Sequence, residues 1–354
     1  SSAITTTMIM MDKDEETIIL RKAKDKSSKS KKKELVDYID TNETNKMRNN
    51  LEGINALLDR TWIDIDISDE EHIKLNEKMD KEPDKSPIDF TRRKLRRIFN
   101  NSSFEQGGRF YHCWWQEISS SYRKYITING KRTEEEDFAG IHVRMLYALE
   151  GIELGSEDTH IIEGYGKEYR EQVKRAIYII INAETRDKAI YAIQKKLTLP
   201  INKTAQDLFN QLELKHPKIA KYFATGEGIK LQYIDSQIIE KVMIRLARDN
   251  IVALPIHDSF IVRMSHINDL IKEMNKAYKE VVKTGTIIDK KESIRKELEK
   301  QEQQRPLVKD QINYKGLREP ISGDELINIT QEGIKNYKQY NRREREWSAS
   351  RGYP

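Results

Sequence analysis

TEEEDFAGIHVRMLYALEG, residues 133–151, decides the fold. Its first half is acidic and its second half carries apolar residues at helical spacing, so a strand, a turn and a helix meet at Asp137. Just upstream, KYITING (residues 124–130) reads as a strand closing in an Asn-Gly turn. A second stretch, LPIHDSFIV (residues 254–262), reads as two strands around a central His-Asp-Ser. Each stretch sets one aspartate, Asp137 or Asp258, among apolar residues at a strand edge. A carboxylate in such a place costs free energy unless a cation or a capping hydrogen bond meets it. Taken singly, a helix cap at Asp137 and a turn at Asp258 explain them; taken with what lies between, a shared cation is the alternative.

Working outward, residues 168–197 read as one or two long helices, 208–225 as helical, 232–248 as a strongly periodic helix and 267–283 as a helix. Toward the N-terminus, RKAKDKSSKSKKK (residues 21–33) has almost no apolar content and reads as a mobile basic arm, either a solvated tail or a phosphate-binding extension. Residues 35–62 have helical apolar spacing, and 64–87 read as an acidic, proline-containing linker with a boundary near 88. A second basic cluster spans 92–97. The expected organisation is an arm over 1–34, an N-terminal helical region and linker over 35–90, a central unit over 91–160, 161–225 and 226–285, and a polar extension over 286–354, in which 290–303 reads as a solvated helix. His112, Cys113, Trp114 and Trp115 are expected in the core, and His160 on the surface.

The 354 residues are 37% hydrophobic and 34% charged, with a mean hydropathy of −0.78, so much of the chain is solvated. The net charge of +5 does not by itself demand a polyanionic partner; the clustering of cations is the better evidence. Cys113 is the sole cysteine, which excludes an intrachain disulfide and a cysteine-built zinc site. No apolar run approaches the roughly 20 residues that span a bilayer, and the sequence is expected to belong to a soluble protein of the cytoplasm, with no membrane partner.

Between the two aspartates, YREQVKRAIYIIINAETRDK places Arg170, Lys174, Tyr178 and Asn182 four apart. Steps of four drift by only ~40° on a helix, so two cations, an aromatic ring and an amide form one slowly winding row. The row is either a solvated basic edge with Tyr178 in the core, or a nucleotide clamp in which the cations hold a triphosphate and the ring stacks on a base.

Here a resemblance becomes specific. DFAGIHVR resembles the first palm motif of the A-family DNA polymerases, DYSQIELR. RxxxKxxxYxxxN is similar to that family's fingers helix, RxxxKxxxFxxxY, and QYIDSQIIEKVM (residues 232–243) resembles its QGTAADIIKRAM. LPIHDSF is similar to the second catalytic palm motif, with His-Asp-Ser-Phe the form of the single-subunit phage-type RNA polymerases, and GGRFY (residues 107–111) resembles TGRLS of the former and GRVY of the latter. The five motifs keep the family's order over roughly residues 105–265. The resemblance implies an α+β right-hand polymerase with an antiparallel palm sheet, helical fingers over 161–225, and a thumb reduced to or replaced by the helices of 35–90.

It also implies roles. Asp137 and Asp258, with the Phe138 carbonyl, would hold two Mg²⁺ ions, Mn²⁺ being a possible substitute. Lys174 would bind the triphosphate and protonate pyrophosphate, Arg170 would take the terminal phosphates, and Tyr178 would stack on the incoming base. Arg109 and Gln232 would contact primer–template nucleic acid, and His257 would sit at the primer terminus. His142 stands where the DNA enzymes carry the glutamate that excludes a ribose 2′-hydroxyl, and Asn182 replaces the tyrosine that ends the fingers helix. Ser259 stands where a third acidic residue often follows His-Asp.

The expected function is a compact DNA polymerase without a proofreading exonuclease, using nucleoside triphosphates; a single-subunit RNA polymerase or primase is the alternative. His142 and Gln232 favour DNA, while Ser259 and GRFY favour RNA. A non-catalytic nucleic-acid-binding protein with a degenerate palm is the third reading, against which stand the four residues such a protein would lose first: Asp137, Asp258, Arg170 and Lys174. No accessory replication protein is identifiable from the sequence.

Overall fold

The computed structural model describes residues 16–23, 33–81, 88–138, 140–155 and 158–282. The lysine-rich centre of the basic arm, the proline-bearing end of the linker and the polar C-terminal extension, with its expected helix over 290–303, lie outside the described residues. In chain order the elements are β1 (Ile18–Leu20), α1 (Asn42–Asp59), β2 (Ile63–Ile65), α2 (Asp69–Asp80), β3 (Arg96–Asn100), β4 (Ser103–Tyr111), α3 (Ser120–Arg123), β5 (Ile126–Ile128), β6 (Lys131–Asp137) and α4 (Ile141–Leu149). There follow α5 (Arg170–Asn182), α6 (Arg186–Lys196), α7 (Ala205–Lys215), α8 (Gly228–Arg248), β7 (Leu254–Ile256), β8 (Ser259–Arg263) and α9 (Ile267–Val282).

The fold is α+β. A five-stranded sheet has the order β2-β5-β6-β8-β7, antiparallel at every step, and a three-stranded sheet has the order β1-β3-β4 with β1 parallel to β3. The Asn-Gly expectation holds: Asn129 and Gly130 both have positive φ (49° and 69°) between the paired residues Ile128 and Lys131. Residues 168–197 form two helices, broken at Ala183, where the backbone turns extended before Thr185 caps α6 by accepting from the Lys188 N–H.

α8 is the spine. Its apolar face, Leu231, Ile238, Ile239, Val242, Met243 and Leu246, is buried, and the helix packs against β4 on one side and α9 on another. Gly108 permits the first contact, since a β-carbon there would lie 2.8 Å from the Phe99 ring and 2.9 Å from Ser236 Oγ. Arg97, 1% exposed, locks the seam: its Nε donates to the Gly108 carbonyl, Nη2 to Ser236, and Nη1 pairs with Glu240 at 2.8 Å. Cys113, Trp114 and Trp115 are core residues, as expected, whereas His112 is only half-buried, with its Nδ1 3.2 Å from Arg92 Nη2.

Several expectations are corrected. Residues 64–87 are not simply a linker: β2 joins the main sheet beside β5, and Ser68 caps α2, whose first turn holds three acidic residues. Residues 35–62 are helical only from Asn42; Leu35 and Ile39 are exposed on extended chain. The stretch 208–225 is helical only to Lys215, followed by a single turn at Ala220–Tyr222. The segment expected as an arm contains β1, with Ile18 fully buried beside β3. His160 is 5% exposed and so is no surface residue.

Candidate active site

Side chains alternate along a strand, so Glu135 and Asp137 lie on one face of β6. β6 pairs with β8 in a register that sets Asp137 opposite Ser259. β8 is joined to β7 by a two-residue loop, His257-Asp258, with Ile256 and Ser259 as the closing pair. His257 takes the left-handed conformation (φ 55°) that this tight loop requires. The Phe138 N–H donates to the Asp258 carbonyl at 3.1 Å, tying the end of β6 to the hairpin tip. Asp137 at the end of β6 and Asp258 in the β7–β8 loop, far apart in sequence, therefore line one cavity of about 790 Å³.

The opposite wall is α5, which presents Glu171, Lys174, Arg175 and Tyr178. Spacings of three and four alternate on this face because the helix repeats every 3.6 residues. The strict row of four expected from sequence winds off it at both ends. Arg170 turns to Asp158, with Nε 2.6 Å from Oδ2, and to Glu171. The hydrogen bond it donates to Asp158, ahead of an opposing desolvation, keeps its guanidinium above the ordinary pKa. Asn182 donates to the Tyr178 carbonyl and accepts from Gln232 Nε2 at 3.4 Å, and neither Asn182 nor Gln232 lines the cavity. Among the described residues Lys174 makes no ion pair; it is exposed to the cleft, and Tyr178 is 48% exposed there. Lys196 at the end of α6 adds a third cation to this side. The helical wall thus carries Lys174, Arg175 and Lys196 with Glu171 among them, and the opposite side carries Glu135, Asp137 and Asp258.

His142 projects from α4, whose start is set by Gly140 at φ +62° with Thr159 and His160 packed against it. The imidazole is buried yet lines the cavity, and its ring lies nearly parallel to Tyr178, with an interplanar angle of 15° and centroids 6.1 Å apart. Its Nε2 is 2.8 Å from Asp235 Oδ2. Arg109 Nη2 lies 3.3 Å from the same Nε2, so the ring nitrogen sits between a carboxylate that accepts and a guanidinium that donates. Asp235, fully buried on α8, also takes Arg109: Nε is 3.2 Å from both carboxylate oxygens. Burial pulls the Arg109 pKa down, but the charge and hydrogen bonds of Asp235 more than offset this and hold it above the ordinary value. Arg109 is therefore held by Asp235 while it also lines the cavity.

His257 stands edge-on to Tyr111, centroids 5.8 Å apart, and protein crowding followed by the charge of Arg109 lowers its pKa. His160, also lining the cavity, is pushed down to about 4 by burial first and then by Arg170.

The sequence reading missed four participants. Asp235 sits three and four residues before Ile238 and Ile239, on the buried face of a periodic helix, and that placement was its signal. Arg175 and Lys196 carry none beyond charge. Glu135 was legible from alternation alone; it accepts from Ser259 Oγ at 2.7 Å and pairs with Arg123 at 2.8 Å. Among the described residues no group of three or more histidine, cysteine or acidic side chains is placed to hold a metal, so Asp137 and Asp258 are a pair and not part of a closed cage.

No protein-family model matches the chain, and no curated protein matches its sequence. Among the described residues no helix is long and apolar enough to cross a membrane.

Proposed function

We propose that the protein is a template-directed nucleotidyltransferase, a DNA polymerase that extends a 3′-hydroxyl from deoxynucleoside triphosphates in the cleft between the β6–β8 strand ends and α5. The observation that carries this reading is the placing of Asp137, at the end of β6, and Asp258, in the adjoining β7–β8 loop, in one cavity with Lys174, Arg175 and Tyr178. In this reading the five-stranded sheet is the palm and α5 to α7 are the fingers, while α1 packs against α8 and β1.

Two carboxylates with a nearby backbone carbonyl, that of Phe138, suit Mg²⁺, which keeps waters and takes substrate phosphate oxygens in place of a full protein cage. Bound there, Mg²⁺, or Mn²⁺ in its place, supplies Lewis acidity toward the attacking hydroxyl and the triphosphate. The chain's own groups do the rest. Lys174 and Arg175 hold the triphosphate, and Lys174 is the donor available to the leaving pyrophosphate. Tyr178 offers its exposed face to the base. Arg170, braced by Asp158, anchors the start of α5. His142, fixed by Asp235, fills the position from which a 2′-hydroxyl is judged.

A second reading rests on that same fixed ring. With Nε2 turned to Asp235, the ring leaves Nδ1 for a ribose 2′-hydroxyl, which can donate or accept; the product would then be RNA. Primer extension on DNA and RNA templates, with deoxy- and ribonucleotides offered separately, tests both. Asp137→Ala and Asp258→Ala should abolish incorporation while leaving primer–template binding largely intact. Near-wild-type extension by both variants would falsify the assignment, and a wild-type preference for ribonucleotides would select the second reading.

A further inference from the structure

A second cavity, of about 280 Å³, lies at the far end of β8 from the Asp258 hairpin. β8 has five residues, so at about 3.3 Å per residue its two ends are roughly 13 Å apart. The two cavities share no lining residue. Four parts of the fold converge on the smaller one: Arg60 at the end of α1, Asn129 in the β5–β6 turn, Asn250 after α8, and Arg263 with His266 beyond β8. Asn129 and Asn250 both have positive φ, 49° and 56°, so the backbone is folded tightly around the opening.

The lining is chemically one-sided, with two guanidinium groups, an imidazole and two side-chain amides but no carboxylate. The guanidinium groups are held by one edge and open at the other. Arg60 Nη2 donates to Asn250 Oδ1 at 2.9 Å, and Arg263 Nε donates to the Ile128 carbonyl at 3.2 Å. Among the described residues the two terminal nitrogens of Arg263 have no hydrogen-bond acceptor, nor have Nε and Nη1 of Arg60. His266 Nδ1 lies 3.4 Å from the Asp269 carboxylate, which orients the ring at the rim. Two guanidinium groups oriented from behind, with donor edges free, match the tetrahedral oxygens of a phosphate.

We propose that this cavity binds a phosphate group. The site is separate from the cleft and does not depend on the polymerase reading. Phosphate carried by a nucleic-acid backbone and phosphate as a free anion present the same oxygens to it.

The test is calorimetric titration of the full chain with inorganic phosphate, in a Lys174→Ala/Arg175→Ala background that removes the cations of the cleft. Phosphate should still bind there, and adding Arg60→Ala or Arg263→Ala should weaken it by at least about tenfold, the loss of one or two charge-assisted hydrogen bonds. Arg60 is exposed, so its variant keeps the fold even if Arg263→Ala does not. Titration with a single-stranded oligonucleotide over a range of salt then separates the sources. A salt slope reduced by about 1–2 in the arginine variants assigns the site to backbone phosphate, and an unchanged slope alongside lost inorganic phosphate binding assigns it to a free anion. The proposal fails if the cleft-silenced protein takes up no phosphate, or if both arginine variants bind it as before.

Discussion

At the scale of the residue, the molecule spends its most expensive interaction on Asp235. A fully buried carboxylate between a guanidinium and an imidazole is costly to create and more costly to break from one side. Asp235→Ala should therefore lower stability by about 3–5 kcal/mol in denaturant unfolding, because Arg109 is left charged and buried. Asp235→Asn, which keeps hydrogen-bonding capacity, should cost less and still loosen His142. If His142 judges the sugar, Asp235→Asn narrows the ratio of deoxy- to ribonucleotide incorporation without contacting nucleotide itself; an unchanged ratio would make Asp235 purely structural. His160 gives a residue-scale prediction in pH. Its folded pKa of about 4 lies below the ordinary 6.5, so on acidification the unfolded chain takes up a proton before the folded one does. Its contribution is neutral above pH 6.5, and stability is lost as pH falls from 6.5 toward 4. At pH 5 the loss is about 2 kcal/mol relative to pH 7. Replacing His160 with Gln should remove that part of the acid sensitivity, as read from urea midpoints at the two pH values.

At the scale of the element, α5 shows what a sequence can and cannot say. The helix and its cationic, aromatic character were legible, because Lys174 and Tyr178 differ by one turn and both face the cleft. Which of the flanking cations joins them was not, since 3.6 residues per turn favours Arg175 over Arg170 only when the direction of the cleft is known. The ion pair to Asp158 that claims Arg170 comes from a loop outside the helix. Hence Lys174→Ala and Arg175→Ala should each lower kcat/KM for nucleotide by about tenfold or more, on the scale of a charge-assisted contact. Arg170→Ala should leave nucleotide use within about threefold and show itself instead in stability, by no more than about 1 kcal/mol, because the Arg170 side chain is 39% exposed. Loss of nucleotide use in Arg170→Ala alone would restore the original row. The acidic stretch after residue 63 failed for a different reason. Acidic residues are the expected first turn of a helix as much as of a linker, and the Ser68 cap that distinguishes them is a single side chain.

At the scale of the whole molecule, the strand pairings that hold the two sheets together were the least legible feature. β1 is three residues long and pairs in parallel with β3, so nothing local to either segment announces the other. The apolar trio before the lysine-rich run was read with the run, yet Ile18 and Leu20 are buried in the continuous core that also contains Leu51, Phe99 and Phe110. Tyr38 closes the edge by donating to the Ile18 carbonyl at 2.6 Å, and Arg48 pairs with Glu16 at 3.1 Å. This N-terminal strand is thus part of the frame that carries β4, and through β4 it carries Arg109. Ile18→Asp removes a side chain whose burial is worth about 1.5–3 kcal/mol and buries a carboxylate opposite Arg97, whose guanidinium is already committed to Gly108, Ser236 and Glu240, so the loss in unfolding free energy should exceed about 3 kcal/mol. Replacing Lys24, Lys26, Lys29, Lys31 and Lys32 with serine, and keeping Lys33 with its hydrogen bond to Asn100, should change the unfolding free energy by no more than about 0.5 kcal/mol and lower affinity for nucleic acid at low salt. Equal midpoints for Ile18→Asp and the wild type would return β1 to the status of a dispensable arm, whereas a midpoint drop confined to Ile18→Asp separates the strand, which serves the fold, from the lysines, which serve binding.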